Sequence, residues 1–355
     1  MEISGTGQRR PAVQGGRVIQ RPWSDARVRR GAVGATAAAV VAGLAGLLTA
    51  APAGAQPSYP SKPVRIVVPW PAGGGTDFAA RVLAQRLGER MTQPVLVENR
   101  AGAAGNIGAE AVAKSAADGY TLLLAITSVS INPALFPKMP FDIVKDLAPV
   151  TLVARAPMVL SIHPVLPARN VRELIELGRR RPGELNFAYS GAGTTMQVSA
   201  EMFNLVSGLR TVGVAYKGGA PAVADLAGGQ VQFAFPTLPS VLPFIRSGRV
   251  RALAVTTAQR SAMLPEVPTM IEGGVKDFDF AEWYGLFVPS GVPREVVRRL
   301  NEESVAILKT PDVRERFAVQ GLEVLSSTPE QFGELVQRDL ARFGDVIRRA
   351  GIKVE

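Results

Sequence analysis

Two short stretches of this sequence combine glycines with hydroxyl side chains directly after an apolar run. The first is AGGGTD at residues 72–77, after RIVVPW, and the second is SGAGTT at residues 190–195, after LNFAYS. Each stretch precedes a helix-like pattern. The first backbone N–H groups of a helix lack intrahelical partners and, with the helix dipole, favour an anion. Because glycine lets an anion approach closely, both stretches are candidate cradles for a small carboxylate.

These two loops occupy equivalent places after strands, so we expect them to share one ligand. A β-carbon at Gly74 or Gly75 would intrude on the bound anion, whereas Asp77 is expected to support the first turn of its helix. The competing interpretation is two well-capped turns, with Thr76 and Thr194 as N-cap residues. The predicted ligand-binding residues are Trp70, Ala72, Gly73, Gly74, Gly75, Thr76, Asp77, Thr127, Ser128, Ser190, Gly191, Gly193, Thr194 and Thr195.

Other kinds of site find little support in the residues. A dinucleotide fingerprint would need a third glycine where Phe78 stands, although Glu98 ends the next strand where a ribose-binding acid would fall. The single histidine, His163, and the absence of cysteine and of a G-x-S-x-G motif argue against a hydrolase or a metal site. No cofactor, metal or catalytic residue is expected. Trp70, Trp283 and Tyr284 fit either the core or a cleft wall.

The charge distribution argues against nucleic-acid binding, and the N-terminal segment predicts that the chain is exported. The net charge is +10, but seven arginines lie within the first 30 residues and the remainder shows no clustered basic face, so nucleic-acid binding is not expected. An uncharged stretch from Gly31 to Ala55 ends in a small-residue cleavage pattern. We predict a signal peptide over residues 1–55, cleaved after Ala55, and a periplasmic location; a membrane anchor is the alternative.

The rest of the chain alternates between strand and helix patterns in two blocks, which predicts an α/β protein with parallel-type sheets. Extended runs near residues 150–160 and 281–288 suggest paired crossovers. We therefore expect lobe 1 from residues 56–156 plus 281–355, an inserted lobe 2 from residues 157–280, and a two-strand hinge beside a cleft. Ligands of open α/β sheets bind beyond the carboxyl ends of the strands.

The same residues carry a family resemblance that spans nearly the whole chain after residue 58. In order, the matching stretches are YPSKPVRIVVPWPAGGGTD, VENRAGAAGNIGAE, INPALF, YSGAGT, AYKGGAPAVADLAGGQVQ, RALAVTTAQRS, LPEVPTMIEGG and WYGLFVPSGVP. The chain resembles the periplasmic solute-binding receptors of tripartite tricarboxylate transporters, the Bug or TctC-like family. The resemblance implies a two-lobe periplasmic-binding-protein fold of type II. It also implies a carboxylate gripped mainly by main-chain amides of the two glycine loops.

Two positions depart from the family pattern on the cleft face of the second lobe. Gln197 stands where a histidine is common, and Pro236-Thr237 replaces an Asp-Ser or Asn-Ser pair. Gln197 and Thr237 therefore join the predicted ligand-binding residues, and the identity of the carboxylate stays open. The resemblance implies a monomeric receptor, not an enzyme, that serves membrane permease subunits. A sensor for a signalling system, or an exported enzyme using the same cleft, is the alternative.

Overall fold

The computed structural model of the chain describes residues 59–136 and 138–352, so the predicted signal peptide lies outside the described residues. The strands of the described part are β1 (Val64–Val68), β2 (Val95–Asn99), β3 (Thr121–Ile126), β4 (Leu147–Pro157), β5 (Val159–Ile162), β6 (Asn186–Tyr189), β7 (Val212–Ala215), β8 (Phe233–Ala234), β9 (Arg251–Val255), β10 (Ala281–Pro289) and β11 (Glu323–Val324). They form sheet A, in the order β11-β4-β10-β3-β1-β2, and sheet B, in the order β7-β6-β8-β5-β9.

Both sheets contain the predicted parallel strands. In sheet A, β1 pairs in parallel with β2 and β3; in sheet B, β6 pairs in parallel with β7 and β8. Antiparallel strands complete each sheet, with β10 between β3 and β4 in sheet A and β5 between β8 and β9 in sheet B. The predicted α/β class is confirmed.

Helices join the strands in the alternation that the sequence predicts. They are α1 (Gly75–Met91), α2 (Asn106–Ala113), α3 (Ser128–Leu135), α4 (Val171–Arg180), α5 (Thr195–Ser207), α6 (Gly219–Ala227), α7 (Leu238–Arg246), α8 (Arg294–Leu308), α9 (Pro311–Val319) and α10 (Pro329–Ala350). In α1 the i, i+4 series Ala79, Leu83 and Leu87 is buried, as an amphipathic helix requires.

The strand pair β4 and β10 lies where the chain passes between the two sheets. β4 ends at Pro157 and β5 begins at Val159, so Met158 alone separates a strand of sheet A from a strand of sheet B. On the return, Ala281 at the start of β10 pairs with Pro157. The strands of sheet A thus come from residues 64–157 and 281–324, and those of sheet B from residues 159–255.

The long C-terminal helix α10 contributes to the cores of both sheets. Near its start, the Phe332 ring packs edge-on against Trp283 with centroids 5.3 Å apart. Near its end, Phe343 packs edge-on against Phe280 at 6.0 Å, and Ile347 joins the same core as the strands of sheet B. The last turns of α10 thus pack with sheet B, and the assignment of residues 281–355 to lobe 1 stays a prediction.

Helix α3 lies where the proline-punctuated run INPALFPKMP predicts only a break. It begins two residues after β3, contains Pro133, and ends at Leu135, with the Phe136 N–H donating to the Asn132 carbonyl. A proline removes one intrahelical hydrogen bond. In so short a helix that loss does not prevent the preceding turn from forming. Among the described residues, no helix is long and apolar enough to cross a membrane.

Candidate ligand-binding cleft

A cavity of about 490 Å³ lies between loops that follow strands of both sheets. Loops attached to sheet A contribute Trp70 and Ser128, and those attached to sheet B contribute most of the opposite wall. Its lining residues are Trp70, Ala104, Ile126, Ser128, Met158, Ser190, Gly191, Ala192, Thr194, Thr195, Met196, Gly218, Gly219, Pro236, Thr237, Ser240 and Glu282. A pocket of this size suits a small organic molecule.

The second glycine loop, residues 190–197, forms much of this wall. Gly191 and Gly193 have φ angles of 125° and 76°, a region that favours glycine. The Gly193 N–H donates to Gln197 Oε1 at 2.8 Å, and the Thr194 hydroxyl donates to the Gly191 carbonyl at 2.8 Å. Thr194 is the N-cap residue of α5, but its side chain bonds within the loop and makes no capping hydrogen bond to the helix.

In the first glycine loop, residues 72–77, a glycine N–H also donates to the side chain four residues later, which here is charged. The Gly73 N–H donates to Asp77 Oδ2 at 3.0 Å, and Arg81 and Asn99 also donate to the Asp77 carboxylate. The Arg81 contact, aided by these other donors, outweighs burial and holds the pKa of Asp77 below its usual value. Asp77 therefore supports its own loop, and the Gly73 amide is engaged.

The first loop lies beside the cavity rather than on its wall. Residues 72–75 are exposed, Thr76 and Asp77 are buried, and none of the six lines the cavity. Gly74, not Thr76, is the N-cap residue of α1. A β-carbon on Gly74 would meet only the Pro71 carbonyl at 4.0 Å, and Gly74 is not among the residues that line this cavity.

Seven of the sequence-predicted residues line the cavity, and three others stand behind it. The seven are Trp70, Ser128, Ser190, Gly191, Thr194, Thr195 and Thr237. Thr127, Gly193 and Gln197 do not line it: Thr127 accepts the Trp283 N–H at 2.8 Å, and Gly193 and Gln197 bond to each other. Of the aromatic residues that fitted either role, Trp70 is on the wall, whereas Trp283 donates from Nε1 to buried Asp339.

Four helix N-termini open onto the cavity. The first residue of α3 is Ser128, and the N-cap residues of α5, α6 and α7 are Thr194, Gly218 and Thr237. Ser128 Oγ is buried and has no hydrogen-bond partner among the described residues. Because the N–H groups of a first helical turn have no partner within the helix, this convergence presents donors and partial positive charge to the same space.

Glu282 brings a carboxyl group into the same cavity. It lies on β10, is 9% exposed, and accepts a hydrogen bond on Oε2 from the Thr195 hydroxyl at 2.6 Å. Tyr284, two residues further along the strand, lies near the same carboxyl group and influences its pKa. Burial raises the pKa of Glu282, and burial and the Glu282 carboxyl together raise the pKa of Tyr284 well above its usual value.

Sequence reasoning missed several residues of the wall. Gly218 and Gly219 follow β7 and open α6, which is a third strand–glycine–helix junction; the run AYKGGA carries that signal. Glu282 is a lone acid in the apolar run AEWYGLFVP, a pattern that indicates a buried carboxyl group with a hydrogen-bond partner nearby. Ser240 and Met158 carry no such signal, because their place on the wall depends on the packing of the two sheets.

Two further observations bear on other kinds of site. Among the described residues, no group of three or more acidic or histidine side chains is placed to hold a metal ion. A larger groove of about 900 Å³ lies between α8 and the start of α10, and it contains none of the sequence-predicted residues. His163 lies away from both spaces, and its Nδ1 accepts the Val165 N–H at 3.4 Å.

Proteins similar to this chain in sequence and architecture include the periplasmic binding protein BugD. The chain is 40% identical over 300 residues to Protein BugT of Bordetella pertussis, an alignment covering 84% of this chain and 92% of that one. It resembles the solved structure of Rpa4515 of R. palustris with adipate, with a TM-score of 0.75, 36% identity, and coverage of 84% of this chain and all of that one.

Another solved relative is MatC of Rhodopseudomonas palustris with bound malate, with a TM-score of 0.72, 32% identity, and coverage of 81% of this chain and all of that one. The profile of the tripartite tricarboxylate transporter family receptors matches residues 79–352, which is more than half of the chain. The fold, the two-sheet cleft and these matches agree with the resemblance seen in the sequence, and the chain belongs to the tripartite tricarboxylate transporter receptor family.

Proposed function

We propose that this chain is a periplasmic receptor that captures a small carboxylate in the 490 Å³ cavity and presents it to the membrane permease subunits of a tripartite tricarboxylate-type transporter. The observation that carries the proposal is the convergence of the N-termini of α3, α5, α6 and α7 on one cavity. Each helix N-terminus acts as roughly half a positive charge at close range.

The lining chemistry favours a neutral cradle over an ion pair. Among the described residues that line the cavity there is no lysine, arginine or histidine. Backbone amides and hydroxyls, such as those of Ser128, Thr194 and Thr237, must therefore bind an anion, with hydrogen bonds worth about 1.5–3 kcal/mol each when the acceptor is charged. Adipate and malate in two related structures are anions of the expected kind and size.

The strand pair β4 and β10 supports a receptor that closes on its ligand. The two strands join the sheets, and the predicted lobes, residues 56–156 plus 281–355 and residues 157–280, meet at this pair. In this proposal the lobes turn about β4 and β10 when the carboxylate binds, the mature chain begins after Ala55, and the receptor works as a monomer without enzymatic turnover.

The test is calorimetric titration of residues 56–355, freed of bound ligand by unfolding and refolding, with adipate, malate and dimethyl adipate. We expect at least one diacid to bind and the diester not to bind. Gly219→Leu should weaken binding at least tenfold, since a β-carbon there meets no atom within 4 Å and the side chain would fill the cavity. Binding of the diester as tightly as of the diacid would refute an anion cradle.

Ala220→Leu is the matched control. Ala220 is the next residue of α6, is exposed, and does not line the cavity. The same added side chain should leave binding unchanged there. Thermal unfolding of both variants should resemble that of the wild type, because neither leucine enters a packed core. Equal loss of binding in the two variants would place the ligand elsewhere.

A further inference from the structure

Glu282 lies between the two glycine loops and is hydrogen-bonded to the second. Its Oε2 accepts from the hydroxyl of Thr195, which opens α5 behind the second loop. Its neighbour Tyr284 places its hydroxyl 3.1 Å from the position of a β-carbon on Gly75, which is the first residue of α1 in the first loop. The Glu282 carboxyl thus lies in the cavity between the first turns of helices from both sheets.

No cation in the cavity compensates this carboxyl. Glu282 is the one ionisable side chain among the described residues that line the cavity. If it were ionised, an incoming carboxylate would share about 490 Å³ with a second anion and no lysine, arginine or histidine. Two carboxylates close together in a buried site do not both stay ionised; one retains a proton.

The elements packed around Glu282 supply no charge that would change this conclusion. On β4 its pairing partner is Ala156; Arg155, the neighbour, pairs in register with Trp283 and is bound to Glu323. The strand β3 and the helix α3 carry no charged residue. On α1, Asp77 is held by Arg81, and on α5, burial raises the pKa of Glu201.

We infer that Glu282 holds a proton when the cleft is occupied and donates it in a hydrogen bond to a carboxylate oxygen of the ligand. The inference rests on the proposed function and adds to it the protonation state of Glu282 in the complex. The proton comes from solvent, stays on the Glu282 carboxyl, and no covalent bond of the ligand changes. The cleft then offers an anion a neutral donor in place of a repelling charge, and the hydroxyl of Thr195 fixes the orientation of the carboxyl group.

Two consequences separate this state from an ionised Glu282. The affinity of the wild type for ionised adipate should be constant well below the pKa of Glu282 in the free protein and fall tenfold for each pH unit above that pKa. Glu282→Gln fixes a neutral side chain of the same shape. It should bind adipate within about threefold of the low-pH wild type, with no fall as the pH rises.

The experiment combines calorimetry from pH 5 to 9 with carbon NMR of glutamate carboxyl groups, using adipate and malate as probes. The Glu282 signal, assigned by its loss in Glu282→Gln, should have the chemical shift of a neutral carboxyl in the complex. Glu201→Gln is the matched control, because Glu201 is a half-buried acid on α5 that does not line the cavity. It should retain the wild-type pH profile.

Three results would overturn the inference. One is an ionised Glu282 signal in the complex. Another is a folded Glu282→Gln protein that binds adipate more than tenfold more weakly than the wild type, which would show that the charge itself is needed. The third is no binding of either diacid at any pH, which would refute the proposed carboxylate receptor as well, whereas the first two leave that proposal intact.

Discussion

The two glycine loops are built alike but connect differently to the rest of the molecule. In each, a glycine with positive φ, Gly73 or Gly193, donates its N–H to the side chain four residues later, Asp77 or Gln197. The residue after that glycine is the N-cap of a helix. Yet the first loop is held by a buried carboxylate that the half-exposed Arg81 neutralises, and the second by a neutral amide that is also buried.

This difference matches their positions. The second loop lines the cavity and the first stands beside it. A carboxylate at residue 197 would add a second acid close to Glu282, whereas at residue 77 its charge is paired outside the cavity. One backbone geometry therefore serves both loops, with a charged side chain as acceptor in the loop beside the cavity and a neutral one in the loop that lines it.

The largest expected contrast comes from Gly193→Ala against Gly73→Ala. Both glycines have positive φ, which costs an alanine about 1–2 kcal/mol. A β-carbon on Gly193 would also lie 2.3 Å from Leu135 Cδ1, whereas one on Gly73 meets no atom within 4 Å. We expect losses of about 2–5 kcal/mol for Gly193→Ala and about 1–2 kcal/mol for Gly73→Ala in urea unfolding. Equal losses would mean that Leu135 moves aside freely.

A second contrast removes the side chain that holds each loop. Asp77→Ala leaves the Gly73 N–H, Arg81 and Asn99 without their acceptor and should cost about 2–3 kcal/mol. Gln197→Ala deprives one N–H of its partner and should cost about 1–2 kcal/mol. Ligand affinity should show the reverse order, because only the second loop lines the cavity. Chemical unfolding measures the loss of stability in each variant, and calorimetry measures the loss of ligand affinity. A larger affinity loss in Asp77→Ala than in Gln197→Ala would contradict the comparison.

The stability that Asp77 provides should decrease as the pH falls. The pKa of Asp77 is lower in the folded protein than the unfolded value of about 3.9. Its stabilisation is therefore fully present above the unfolded pKa and is lost as the pH falls through the folded pKa. The stability gap between wild type and Asp77→Ala should narrow on acidification below about pH 4. The gap for Gln197→Ala should not narrow in the same way, because an amide does not titrate.

The smallest expected contrast lies within the first loop. A β-carbon on Gly75 would lie 3.1 Å from the Tyr284 hydroxyl, and one on Gly74 would face open space. Gly75→Ala should therefore displace Tyr284 slightly and cost under about 1 kcal/mol, and Gly74→Ala should be nearly neutral. Tyrosine absorbance as a function of pH would show whether the high pKa of Tyr284 falls in Gly75→Ala. The same pKa of Tyr284 in Gly75→Ala and Gly74→Ala would show that the first loop does not influence Tyr284 or Glu282.

Much of this architecture could be read from local patterns. Apolar β-branched runs such as VRIVV predicted the strands, and glycine followed by a helix pattern located both loops. The sequence could not show that the Gly73 and Gly193 amides are engaged by Asp77 and Gln197, since an i, i+4 hydrogen bond depends on backbone angles. Whether a β-carbon on Gly74 would disturb a bound anion stays a prediction.

The remaining differences depend on contacts between distant segments. Glu282 lies far from Thr195 in the chain, so nothing in AEWYGLFVP indicates that its partner is a hydroxyl at the start of α5. The sequence of the last turns of α10 is that of an ordinary amphipathic helix. These turns pack with sheet B because Phe343 and Ile347 join the core that contains Phe280. Such pairings are fixed by tertiary packing, which a single sequence does not display.

The two-ended packing of α10 has a consequence for biosynthesis. Phe332 fills one core and Phe343 the other, so neither core is complete until the C-terminal helix has been made. We therefore expect neither half to fold before the other during synthesis, in contrast to the usual N-to-C order of domain folding. Removal of residues 343–350 would take away the Phe343 ring that packs against Phe280, together with Val346 and Ile347 of the same core.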